Sequence, residues 1–306
     1  MQYLPEGLAS RHGDGTNFKN MAALKECMAS QRILESRAVM CDSEHNLIVN
    51  LGYMRGIIPR CEGALGIQEG TTRDIAIISR VNKPVSFVIT GFTEDAEGNP
   101  VALLSRKRAQ ELCRENYIAS LRPGDVIKAV ATHLEPFGCF VDIGCGIASL
   151  IPIDSISVSR ISHPRDRFKT GQELYAVVKS IEADGRICLS HKELLGTWEQ
   201  NAAGFSAGET VGGIIRSVEH YGIFVELTPN LAGLAEFKED VYVGQSASVY
   251  IKSVLPDKMK IKLIIVDSFD AEPILDPIDY YVTDGNLHHW QYSPPDCEKV
   301  IETTFE

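Results

Sequence analysis

The chain repeats itself. The segment GDVIKAVATHLEPFGCFVDIG, which starts at Gly124, aligns without gaps to GETVGGIIRSVEHYGIFVELT, which starts at Gly208, an offset of 84. Glu135, Gly138, Phe140 and Val141 return as Glu219, Gly222, Phe224 and Val225, and Phe137 returns as Tyr221. Farther on, TGQELYAVVKSI (170–181) returns as VGQSASVYIKSV (243–254) at an offset of 73. The shortfall of 11 residues is a loop shortened while strands are kept, which copies of one domain tolerate. A more distant copy lies upstream. LIVNLG (47–52) answers CFVDIG (139–144), IIP (57–59) answers LIP (150–152), and VSFVIT (85–90) answers YAVVKS (175–180). In it, His45 stands in the place of Phe137 and Ile48 in that of Phe140.

Within a copy the segments are short, β-branched and alternating, bounded by Gly, Pro, Asn or Asp. Residues 126–132, 139–143, 148–151, 174–181 and 186–190 read as five strands. Five strands in so short a span suit a small closed barrel, which has no exposed sheet edge. The expected fold class is therefore all-β with minor helices: three tandem five-stranded OB-type barrels, a short N-terminal helix and an acidic C-terminal β-hairpin extension. The expected division is 1–30 helical segment, 31–104 degenerate barrel, 105–120 linker helix, 121–195 best-formed barrel, 196–207 linker, 208–266 second good barrel and 267–306 acidic extension. Phe18, Met21, Leu24 and Met28 share a helical face in 17–30. A linker helix over 105–121 opens with Arg106-Lys107-Arg108. Ser190 and Glu193 have the spacing of a capping box, so a short helix is expected to start there and end near Gly196. In the tail, Pro273, Pro277, Pro294 and Pro295 interrupt the chain, and residues 280–292 read as a hairpin turning at Asp284-Gly285. That stretch is apolar enough to be expected to dock.

The net charge of −11 argues at first against a nucleic-acid binder, but residues 267–306 hold one lysine against ten carboxylates, −9 of the total. The rest is nearly neutral, so a local basic or aromatic face remains open while a purely electrostatic binder is excluded. Eight cysteines without a C-x-x-C pair suit small reduced core residues of a cytoplasmic protein. No apolar run long enough to span a membrane and no basic-apolar leader is found, so no membrane partner is expected.

The informative unit is aromatic-Gly-x-Phe: Phe137-Gly138-Cys139-Phe140 and Tyr221-Gly222-Ile223-Phe224. Two rings three apart on a regular strand would point to opposite faces. The glycine allows an irregular entry or bulge that re-aims the first ring. Both rings can then share an exposed face on which unpaired bases stack, at roughly 1–3 kcal/mol per base. The rings could instead both be core, since a core motif would repeat as well. Basic partners are at hand: Arg186 and Lys260 opening the fifth strands, Lys128 and His133 on the first strand of the middle copy, and Arg216 on that of the last. Such cations pair with phosphate or stack on a ring. The plainer alternative is solvated surface charge, which fits Lys128 and Arg216 better, and a structural role for His133.

On these residues the segment 121–195 resembles the S1 RNA-binding domain, the OB-fold repeat of bacterial ribosomal protein S1, also present in polynucleotide phosphorylase. The resemblance is carried by Gly124-Asp125-Val126, Phe137-Gly138-x-Phe140-Val141, Phe168-Lys169-x-Gly171 and the run from Arg186 to Ser190. The spacer TWEQN (197–201) is similar to those between tandem repeats, and the whole chain resembles the divergent S1 homologues of Gram-positive bacteria. The resemblance implies an RNA face of two aromatics, a third-strand His and a fifth-strand Arg. These map to Phe137, Phe140 and Arg186, then to Tyr221, Phe224 and Lys260, whereas the His positions hold Pro152 and Glu236. The first copy resembles the degenerate leading repeats, which contact protein.

Signatures of a phosphate loop, a dinucleotide fold, a zinc protease or a serine hydrolase are missing, so no enzyme and no cofactor are expected. His288, His289 and Cys297 lack a fourth metal ligand at a familiar spacing, so no metal is expected. The expected function is non-enzymatic binding of single-stranded RNA such as mRNA, linked to translation. The alternative is a scaffold for a ribosomal or transcription component, with residues 31–104 and the tail as its contacts. In the tail, carboxylates could mimic phosphate on a neighbouring barrel, Trp290, Tyr292 and Phe305 could anchor a partner, or the extension could simply pack on the last barrel.

Overall fold

The described residues of this computed structural model are 3–11, 18, 20–271 and 277–306. Asn17, the expected start of the first helix, and Pro273 lie outside them. The expected three barrels are present. The first is built from β1 (Leu34–Cys41), β2 (Leu47–Asn50), β3 (Arg55–Ile58), β4 (Pro84–Glu94) and β5 (Pro100–Ser105). The middle one has β6 (Val126–Glu135), β7 (Gly138–Asp142), β8 (Ala148–Pro152), β9 (Glu173–Ile181) and β10 (Ile187–Ser190). The third has β11 (Thr210–Glu219), β12 (Gly222–Thr228), β13 (Leu231–Ala235), β14 (Ser246–Leu255) and β15 (Lys260–Phe269). Each barrel closes the same way, its third strand lying parallel to its fifth: Arg55 pairs Val101, Leu150 pairs Cys188, and Leu234 pairs Lys262. Alternation sends Ile223, Val225, Val249, Ile251, Ile261 and Leu263 into the third core. Each such side chain stabilises by about 1.5–3 kcal/mol on burial.

Two compact units divide the chain. One contains residues up to 121 with 128–130 and 142–148. In it the helix Met21–Ala29 starts at Asn20, whose Oδ1 accepts the Ala23 N–H at 2.9 Å, and buries Leu24 and Cys27 against the first barrel's core. The linker helix is shorter than expected. Ser105 caps it at Arg106, and it ends at Asn116 because Tyr117, at φ −121°, leaves the helical region and a single 3-10 turn comes next. It packs on β4. Arg106, which belongs to a charged run in the sequence, is buried on Glu6 with contacts of 2.7 and 3.0 Å. Burial works against the charge of Glu6, yet Arg106 and Arg80 hold that carboxyl below its ordinary value. Asp142 accepts the N–H groups of Glu6, Gly144 and Gly146; burial and the neighbouring Glu6 charge push it up to about 7.

The second unit holds 122–127, 131–141 and 149–306. Two expectations are corrected here. Ser190 and Glu193 do not form a capping box: the Ser190 hydroxyl faces the Glu193 carboxylate and the Ser155 carbonyl rather than the Glu193 N–H, and the short helix is a 3-10 turn over Lys192–Leu195 that ends at Gly196 as expected. The capping box lies seven residues on, where Thr197 and Gln200 open the helix Trp198–Ala202. The tail does carry an antiparallel pair, but not within 280–292. Here β16 (His289–Gln291) pairs with β17 (Glu302–Thr304). Residues around Asp284-Gly285 dock instead of turning: the Gly285 carbonyl accepts the Val126 N–H, and Asn286 bridges to Asp125. The tail anchors are not presented to a partner either. Trp290 and Tyr292 join the third core, and Phe305 packs on Val177 and Leu194 outside the middle one.

Candidate nucleic-acid interface

In both good barrels the first ring sits in the turn before the second strand. The register Glu219↔Gly222 leaves His220 and Tyr221 as a two-residue turn, and Phe137 comes after Pro136 between β6 and β7 in the same way. Of the two expected devices, an irregular entry or a bulge at the glycine, the entry is the one present, since the first ring lies in the turn and not on the strand. The glycine answers a packing demand. A Cβ on Gly138 would stand 2.6 Å from the Ile151 carbonyl oxygen, and one on Gly222 2.6 Å from that of Ala235. What a bulge does re-aim is Arg216, the extra residue between Ile215 and Ser217 opposite β12.

The rings come together on the outside. Phe137 is 56% exposed, Phe140 is half-buried, and their centroids lie 5.9 Å apart edge to face. Tyr221, 60% exposed, meets half-buried Phe224 at 6.2 Å with planes at 84°. Direct pairing carries the row onward in the third barrel: Phe224 beside Leu234, Leu234 beside Lys262, Lys262 beside Ser253. In the middle barrel Leu150, Cys188 and Ser180 form the matching row.

The expected cations divide. Arg186 is 81% exposed in the turn before β10, its Nε 2.6 Å from Asp184, whose carboxyl is held below its ordinary value by hydrogen bonds from Arg186. Lys260 opens β15 and is exposed. His133 is exposed with Nε2 2.7 Å from Glu135, and Lys128 is exposed on β6. Arg216 does not belong to this surface. It is partly buried between Glu226, at 3.0 Å from both oxygens, and Asp166, at 3.3 Å. Glu226 is shared with buried Arg167. Pro152 ends β8, and exposed Glu236 lies 3.6 Å from Lys252. Lys262 is missing from the cations expected above, although KIKLI, with period two, sets it on the same face as Lys260. In the first barrel Ile48 is buried and His45 Nδ1 lies 3.3 Å from Asp74, so no ring pair forms. Among the described residues no cluster of three or more His, Cys, Asp or Glu could hold a metal ion, and no helix is long and apolar enough to cross a membrane.

Residues 120–192 match the family model described as the S1 RNA binding domain. That match covers the middle barrel, and the first and third barrels close with the same strand order. The chain is similar to bacterial small-subunit ribosomal protein bS1. It is 31% identical over 216 residues to a bS1 homolog of Bacillus cereus, covering 65% of this chain and 56% of the relative. To bS1 of Staphylococcus haemolyticus it is 31% identical over 202 residues, covering 60% and 51%. The chain thus spans about half the length of the curated relatives it matches. A multidomain protein with nucleic acid binding domains from Streptococcus pneumoniae TIGR4 aligns over 79% of this chain and 75% of its own at 14% identity, with a TM-score of 0.26, too low to support an argument.

Proposed function

We propose that this protein binds single-stranded RNA by stacking unpaired bases on Phe137 and Phe140, with a second contact at Tyr221 and Phe224, and that it serves translation or mRNA handling without catalysis. The observation that carries the reading is the ring pair made twice by one turn-Gly-x-Phe unit, solvent-facing each time. Arg186 on the middle barrel, and Lys260 and Lys262 on the third, supply charge for phosphate. Similarity to bS1 supports the cellular setting. Fluorescence anisotropy with 5′-labelled oligo(U) tests it. Phe137→Ala with Phe140→Ala is expected to weaken binding at least 30-fold, from about 1–3 kcal/mol per lost stack. Parent-like binding of that double variant overturns the reading.

A second reading has one observation of its own. The first barrel lacks the ring pair and exposes Val39, Met40, Ile75 and Ile78, apolar side chains suited to a protein partner such as a ribosomal or transcription component. Capture from ribonuclease-treated lysate that is lost in Met40→Asp, with no oligo(U) binding by the parent, would favour it.

A further inference from the structure

The three barrels repeat one strand pair whose outer surface is treated differently each time. Val88 pairs Ser105 in the first, Val177 pairs Ser190 in the middle, and Tyr250 pairs Ile264 in the third. In the first two barrels the pair is sealed by segments C-terminal to the fifth strand. The helix Arg106–Asn116 starts at Ser105 and packs on β4, while Leu194 and Phe305 close over Val177. All four side chains are buried. In the third barrel the tail packs elsewhere, Trp290 and Tyr292 in the core and Phe305 on the middle barrel, and Tyr250 and Ile264 stay exposed, at 38% and 43%.

Three lysines flank one side of this open surface. Outward alternation along β15 sets Lys260 and Lys262 in line with Ile264, and Lys252 projects from the bulge beside Tyr250. Carboxylates lie close as well: Lys252 meets Glu236 at 3.6 Å, and exposed Glu209 precedes Thr210, the partner of Tyr250 on its other side. The surface is also continuous with the ring pair: Phe224, Leu234 and Lys262 are neighbours across successive strands, and Tyr250 lies on the next strand round. Along that row three strand spacings separate β12 from β14, about 14 Å.

We propose that Tyr250, flanked by Lys262 and Lys252, is a second stacking platform for unpaired bases, so that the third barrel holds a longer stretch of single-stranded RNA than the middle one. This rests on the reading of Phe137, Phe140, Tyr221 and Phe224 as a stacking face. An aromatic ring with three lysines to one side, joined to two further rings, fits a polyanion with flat bases better than an apolar protein segment.

The test uses the full chain and 5′-fluorescein oligo(U) of 15 nucleotides, in the parent and in the Phe137→Ala/Phe140→Ala background, where the third barrel carries the remaining binding. There Tyr250→Ala is expected to weaken binding about five-fold or more. Tyr250→Phe should bind like its background, and Glu236→Gln about two-fold more tightly. A 4-thiouridine probe should photo-crosslink to the peptide containing Tyr250. If Phe137→Ala/Phe140→Ala costs affinity while Tyr250→Ala costs none and no crosslink forms, the platform is wrong and the stacking face stands. If the ring variants also cost nothing, both readings fall. If Tyr250→Ala instead changes the sedimenting species and leaves RNA affinity alone, the surface is a contact between copies of this chain and the platform is overturned.

Discussion

The middle and third barrels share strand order, ring pair and glycine, yet they solve the same two problems differently. The first problem is a buried carboxylate late in the second strand. In the middle barrel it is Asp142, satisfied by three backbone N–H groups and pushed up to about 7. In the third it is Glu226, shared by the guanidinium groups of Arg167 and Arg216. The second problem is the outer apolar pair, sealed in one and open in the other. Repetition therefore preserves what shapes the barrel and the ring pair, and frees what surrounds them.

The largest expected effect sharpens the first contrast. Glu226→Gln leaves Arg167 and Arg216 with Asp166 as their remaining carboxylate and should lower stability by about 3–5 kcal/mol, whereas Asp142→Asn keeps one acceptor oxygen, sets an amide NH2 against a backbone N–H and should cost about 1–2 kcal/mol. Urea denaturation at pH 7 checks both, and equal losses would break the comparison. The sealed and open pairs come next. Phe305→Ala should cost about 3 kcal/mol by uncovering Val177, while Tyr250→Ala should stay within about 0.5 kcal/mol because Tyr250 covers no core.

A smaller effect concerns His191, buried in the middle barrel, where Nδ1–H donates to the Ile156 carbonyl and Nε2 accepts from Tyr280. Burial pushes it down to about 4, from 6.5. The unfolded chain therefore takes up a proton at higher pH than the folded one. The stability that neutral His191 secures is complete above pH 6.5 and drains away as pH falls toward 4, by up to about 3 kcal/mol. Denaturation midpoints at pH 7 and 4.5, compared with His191→Asn, should show the variant losing less. The slightest effect is on salt dependence. With so few lysines and arginines on the two faces, log affinity for oligo(U) should fall against log salt with a slope of only about −1 to −2; a slope near −5 would point to a basic surface elsewhere.

The barrels, their strand bounds and the outward rings were legible because period-two alternation and an internal repeat are local signals. Partners distant along the chain were not. Arg216 looks like a surface charge by alternation, but a bulge turns it toward Glu226, and its partner Asp166 lies in another barrel. Arg106 opens a helix with a charged run, yet it is buried on Glu6, far away in sequence. The pair Ser190 and Glu193 had the right spacing for a cap and chose each other. Asp284-Gly285 has turn chemistry, but its backbone finds partners at Val126 and Asp125, which no local rule anticipates.

The reach of the tail has a consequence for biosynthesis. Trp290 and Tyr292 complete the third core, and Phe305 shields a strand of the domain before it. A polypeptide emerging from its N-terminus will therefore leave Val177 incompletely covered until the last of these residues has been translated. Premature termination upstream of Phe305 would release a product with both rings in place and its middle barrel unfinished, a ready target for quality-control proteases.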